Sequence, residues 1–145
     1  MIDPSKVPHI RYTDGWKYIT DGEIIYQLSE RFEGIPSYEM HEGKVDGPTR
    51  TMTIYDEYPY DGASGPTVDT MDSMVPSGIH DFLYESLRQE KIGQEWRERA
   101  DLEFYDLCIA CGMSKIRASA WYYAVSWGAK GAARPGRERK ILEAP

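Results

Sequence analysis

Ser77-Gly78-Ile79-His80-Asp81-Phe82-Leu83-Tyr84-Glu85-Ser86-Leu87-Arg88 is the stretch from which the architecture of this chain is read. Ile79, Leu83, Tyr84 and Leu87 recur at helical spacing, so a helix capped by Ser77 is expected to run to about Lys91. A second helix is expected to open at Glu95 and end at Gly112. Its Trp96, Ala100, Phe104, Leu107, Cys108 and Cys111 gather on one side. Ser114 would cap a third helix reaching about Lys130, with Ile116, Ala120, Tyr123, Ala124 and Trp127 as its core-facing stripe.

Upstream of these helices the period changes. Asp14-Gly15 and Asp21-Gly22 are turn dipeptides that bracket Trp16-Lys17-Tyr18-Ile19-Thr20, and residues 23–28 continue with β-branched and aromatic side chains. That pattern predicts a hairpin. Further strands are expected at 37–40 and 51–55, where Met52 and Ile54 alternate with threonines. The expected fold is α+β: a small antiparallel sheet from the N-terminal half packed on a three-helix cluster from the C-terminal half. The reading is of one domain, β-rich over 1–57, a long Pro/Gly/Asp-rich loop over 58–76, helical over 77–130, and a basic tail over 131–145.

Composition fits one domain. A chain of 145 residues, 41% of them hydrophobic and 28% charged, is long enough to bury roughly 70% of its unfolded surface in one core. No apolar run is long enough for a transmembrane segment. The charged, proline-containing start (Asp3, Pro4, Lys6, Pro8) predicts no signal peptide. Cys108 and Cys111 are too close on one helix to bridge and lack the companions of a zinc site, so they are expected to be small buried thiols.

The net charge of -7 is unevenly placed. Residues 1–70 carry 6 Lys/Arg against 13 Asp/Glu, whereas residues 71–145 carry 11 of each. Lys115, Arg117, Lys130, Arg134, Arg137, Arg139 and Lys140 make the last thirty residues basic. Such a tail suits phosphate, an acidic partner or plain solvation. The acidity of the whole chain and the lack of a reading motif argue against specific nucleic-acid binding.

Chemistry is expected where the first two helices meet. His80 falls within the apolar stripe of its helix. Asp101 sits at the edge of the next helix's stripe, where an unpaired carboxylate would be costly, so the two are expected to pair. Tyr84, one turn from His80, is placed to donate to the same carboxylate. In such a pair the carboxylate fixes the tautomer and leaves the other ring nitrogen to take a proton. Asp81 is read as emerging at the helix's first turn, favoured by the macrodipole. It would there be available to calcium with backbone oxygens from Tyr60, Gly62 and Gly65. The competing reading is structural: the pair only locks two helices, and Asp81 only answers the dipole. His41 is expected in a turn at a strand end. Asp61, Asp69 and Asp72 are expected in solvated turns, and Tyr58-Pro59-Tyr60 is expected to pack over the sheet edge.

Two resemblances follow from these motifs. Tyr60-Asp61-Gly62-Ala63-Ser64-Gly65-Pro66-Thr67, the His80-Asp81-x-x-Tyr84 box, Arg99-Ala100-Asp101-x-x-Phe104 and Gly112-Met113 together resemble an uncharacterised family of small proteins of tailed phages and prophages. That resemblance covers about residues 50–130 and implies a viral origin, in the virion or host cytoplasm, without an assigned activity. The spacing of His80-Asp81-x-x-Tyr84 and Asp101-x-x-Phe104 is also similar to calcium-dependent phospholipases A2, especially small prokaryotic ones. By position it implies His80 as the base that activates water, Asp81 as calcium ligand, Asp101 as the orienting carboxylate and Tyr84 as its hydrogen-bond partner. The disulfides that flank the box in those enzymes are missing, and Asp61-Gly62-Ala63-Ser64-Gly65 is a vague counterpart of their calcium loop.

Two functions are therefore expected to compete. One is a phage-encoded, phospholipase-like hydrolase of a phospholipid or other ester, acting at host entry or lysis with calcium. The other is a non-enzymatic virion protein of the tail or neck, or an assembly protein, whose partners are other virion proteins. For the latter the 4 Trp, 11 Tyr and 3 Phe would serve cores and interfaces.

Overall fold

The structure, a computed structural model, describes residues 2–8, 12–13, 18–60 and 71–128. Among these are strands β1 (Tyr12–Thr13), β2 (Tyr18–Thr20), β3 (Ile24–Gln27), β4 (Tyr38–Glu39), β5 (Gly43–Asp46), β6 (Thr51–Ile54) and β7 (Pro59–Tyr60). Helices α1 (Met71–Arg88), α2 (Arg97–Ala110) and α3 (Lys115–Gly128) follow. The fold is α+β, as expected, with a four-stranded antiparallel sheet in the N-terminal half and three helices in the C-terminal half.

The strands form two sheets, ordered β1-β2-β7 and β3-β6-β5-β4. The expected hairpin across Asp21-Gly22 is not formed, because β2 and β3 belong to different sheets. Instead β2 and β3 run along β7 and β6 as one interrupted ribbon. Its register is unchanged across the break: Tyr18 lies opposite Tyr60, and Ile24 opposite Ile54. At the break, Thr20 N–H donates to Tyr58 O at 3.0 Å and Glu57 N–H to Thr20 O at 3.0 Å. Gly22, at φ 99°, turns its N–H onto Asp56 Oδ1 at 2.7 Å. The dipeptide thus carries the chain from one sheet to the next. The expected strands at 37–40 and 51–55 appear as β4 and β6. Pro59 and Tyr60, expected as packing over an edge, themselves form a strand.

One face of the larger sheet is apolar. Ile24, Tyr26, Val45, Met52 and Ile54 are buried with Ile79, Phe82, Leu83 and Leu87 of α1 and Ala100 and Leu107 of α2. Gly43 permits the closest approach, since a Cβ there would sit 2.7 Å from Phe82 Cε2 and 2.2 Å from Thr53 O. A second core joins Phe104 and Cys108 of α2 to Met113 and to Ala118, Trp121 and Val125 of α3.

The helix boundaries depart from the sequence reading most at α1. α1 begins at Met71, so Ser77 lies inside it rather than capping it, and Pro76 is accommodated within the helix. The apolar stripe explains this, because Val75 already continues Ile79 and Phe82 into the core. That burial offsets the cost of about 3 kcal/mol for an interior proline. The helix ends at Arg88 rather than Lys91. Glu90, at φ 57°, donates its N–H to Leu87 O, and Lys91 N–H reaches back to Ser86 O at 3.0 Å, a Schellman closure. α2 closes identically at Gly112, through Gly112 N–H to Ile109 O and Met113 N–H to Cys108 O. Ser114 caps α3 by accepting from Arg117 N–H at 3.3 Å. Lys130 and the tail over 131–145 lie outside the described residues.

On α3 the expected core stripe faces the wrong way. Ala118, Trp121 and Val125 are buried, while Ile116 is 87%, Tyr123 62% and Trp127 78% exposed. Two apolar arcs at helical spacing lie on opposite sides of this helix. The buried arc carries the small Ala118, which lets α3 approach α2 closely, and the Trp121 ring, which packs on Phe104 at 6.2 Å.

Glu103 fastens the helices to the sheet. Its fully buried carboxylate accepts from Ser29 N–H at 2.8 Å, Ser29 Oγ at 2.6 Å, Tyr26 Oη at 3.1 Å and Arg31 Nη1 at 3.1 Å. Burial, then the charge of Glu103, pushes the Tyr26 phenol well above its usual range, so it stays a donor. Glu103→Ala is expected to destabilise the protein by about 1–3 kcal/mol, since it leaves Tyr26 Oη and the two Ser29 donors without their acceptor while Arg31 keeps Asp106. Urea denaturation measures it, and a loss under about 1 kcal/mol would contradict this role.

Candidate functional site

His80 and Tyr84 lie one turn apart on α1 and so share a face, which is turned toward α2. Asp101 lies in the first turns of α2 on the side that meets α1 and α3. His80 Nε2 is 2.7 Å from Asp101 Oδ1, and Tyr84 Oη donates to the same oxygen at 2.7 Å. The carboxylate's other oxygen, Oδ2, accepts from Ser126 Oγ of α3 at 3.2 Å. The cluster is thus supplied by all three helices.

Its surroundings are apolar and aromatic. The His80 ring lies 4.2 Å from the Tyr84 ring and 5.0 Å from the Phe104 ring, centroid to centroid. Asp101 is 1% exposed and His80 6%. A carboxylate so enclosed is tolerated because both its oxygens are hydrogen-bonded. Burial, reinforced by the Asp101 charge, pushes the Tyr84 phenol far above its usual range, so it keeps the proton it donates to Asp101. Asp101 engages the ring through Nε2, so Nδ1 is the ring nitrogen this carboxylate does not occupy.

The sequence reading therefore placed His80, Tyr84 and Asp101 together, and the structure brings the three side chains into contact. Ser126 was missed. Its only signal was its place on the α3 flank, one residue from Val125, and the α3 stripe had been read on the opposite face.

Asp81 differs from the expectation. Because α1 begins at Met71, Asp81 lies in the middle of the helix, where the macrodipole no longer favours a carboxylate. It is half-buried. Of the backbone oxygens expected beside it, those of Gly62 and Gly65 lie outside the described residues, as do Asp61 and Asp69. Tyr60 lies on β7. Among the described residues no group of three or more His, Cys, Asp or Glu side chains is gathered to hold a metal. Asp81 is a hard oxygen ligand of the kind calcium takes. His41 is exposed in the turn between β4 and β5, as expected. Cys108 is buried and Cys111 partly so.

No protein family, curated protein or solved structure matches this chain. Among the described residues no helix is long and apolar enough to cross a membrane.

The hydrogen bonds to Asp101 make two substitutions informative. Tyr84→Phe and Ser126→Ala each remove one donor from a buried charge. Each is expected to cost about 1.5–3 kcal/mol in chemical denaturation, with Tyr84→Phe the larger because its bond is shorter. Equal stability of Tyr84→Phe and wild type would show that Asp101 does not depend on the phenol.

Proposed function

We propose that this chain is a phage-encoded ester hydrolase with a phospholipase-type His-Asp pair, acting on a lipid ester at host entry or lysis. The observation that carries the reading is the bond from His80 Nε2 to Asp101 Oδ1, with Tyr84 donating to the same oxygen. By accepting at Nε2, Asp101 would hold the neutral ring's proton there and leave the Nδ1 lone pair to act as base. A water on Nδ1 would give its proton to the ring as its oxygen attacks the ester carbonyl. The imidazolium so formed is stabilised by Asp101. It then returns the proton to the departing alkoxide, which leaves as the alcohol while the acid is released.

In this reading Asp81, next to the base in sequence, would be a calcium ligand, with backbone oxygens of Tyr60, Gly62 and Gly65 as the others. When bound there, calcium would supply positive charge for the developing oxyanion.

A second reading draws on the burial of the His80 ring. In it the chain is a non-enzymatic virion component of the tail or neck, or an assembly protein, and the four bonded side chains lock three helices together. Turnover separates the two. Fatty-acid release from phospholipid vesicles is expected from wild type in calcium and to be lost in chelator. His80→Ala is expected to lower it about 10²- to 10⁴-fold, and Asp81→Asn to remove its calcium dependence. Release that is absent, or that survives His80→Ala, leaves the assembly reading. Stoichiometric recovery of the chain from purified virions would then support it.

A further inference from the structure

We propose that the outward face of α3 is a docking surface for an anionic lipid bilayer. Ile116, Ala120, Tyr123 and Trp127 follow one another at intervals of four, three and four residues, so they form one narrow stripe about 16 Å long. All four are exposed, Ile116 at 87%, Tyr123 at 62% and Trp127 at 78%. Apolar side chains scattered singly over a surface need no explanation, whereas a contiguous row marks a contact. The opposite face of the helix is already committed to the core through Ala118, Trp121 and Val125. The stripe can therefore engage a partner without unfolding α3.

Charge and residue type together select the partner. α3 carries Lys115 and Arg117 and no acidic residue, in a chain of net charge -7. The sequence beyond it adds Lys130, Arg134, Arg137, Arg139 and Lys140 against Glu138 and Glu143. A second copy meeting the same stripe would bring these like charges together. An anionic surface complements them. Tyr and Trp are also the residues that settle at the headgroup boundary, with an aliphatic side chain such as Ile116 reaching further in. The docking surface stands on these α3 residues and holds whether or not the His80 cluster hydrolyses anything.

The experiment reads binding rather than turnover. The full chain is floated with vesicles of phosphatidylglycerol and phosphatidylcholine, and separately with phosphatidylcholine alone, at low and high salt. Binding to the anionic vesicles is expected to exceed binding to the neutral ones by roughly tenfold or more and to weaken with salt. The triple variant Ile116→Ser, Tyr123→Ser, Trp127→Ser is expected to lose more than about tenfold while keeping its circular dichroism spectrum, since all three side chains lie outside the core. Binding is expected to be the same in calcium and in chelator, where turnover would be lost, which separates this inference from the catalytic one. Anionic vesicles left unbound, or bound equally by the folded triple variant, would overturn it. So would self-association or pull-down of a virion protein that the triple variant abolishes while vesicle binding is absent.

Discussion

Asp101 is a carboxylate that the fold has removed from water, and the arrangement of the helices answers its need for donors. An enclosed charge costs several kcal/mol unless its lone pairs are taken up. Here the donors come from His80 and Tyr84 on α1 and from Ser126 on α3. No single element could supply them, so α2 is held between its two neighbours at the point where the cluster forms. The candidate chemistry and the helix packing therefore share one requirement. The His80 ring can be oriented only where the three helices meet.

Two residues along α2, Glu103 answers a matching need on the other side. Asp101 and Glu103 are separated by about 200° around the helix axis, so one faces the helices and the other the sheet. Glu103 draws its donors from Tyr26, Ser29 and Arg31. A helix whose two buried charges are both tied to other elements has little freedom to rotate. Such immobility is what the proposed base would need from Asp101.

Much of this was legible in the sequence. His80, Tyr84 and Asp101 stood at spacings that place them on facing helix sides, and a buried carboxylate must find partners, so their contact followed from periodicity and desolvation. The end of α2 was marked by Gly112, a residue suited to its positive φ. The end of α1 was not, because Glu90 fills the same left-handed role without being glycine. The start of α1 was hidden by Pro76, a residue that ordinarily argues against helix continuation. For α3 the periodic signal was twofold. Ile116, Ala120, Tyr123, Ala124 and Trp127 outnumber Ala118, Trp121 and Val125, and hydrophobicity alone favoured the face that stays outside. Choosing correctly required knowing that Phe104 waits for Trp121. The hairpin was misread for a related reason: Asp21-Gly22 is good turn chemistry, but which strands it joins depends on Asp56, thirty-four residues away.

The shared ribbon has a mechanical consequence. Since β2 and β3 face β7 and β6 in unbroken register, neither sheet can shift its pairing by one residue without dragging the other along. A slip would turn Ile24 and Tyr26 out to solvent in one sheet while misaligning the short ladder in the other. Strands of two to four residues, individually too short to resist sliding, are in this way geared together and protected from it.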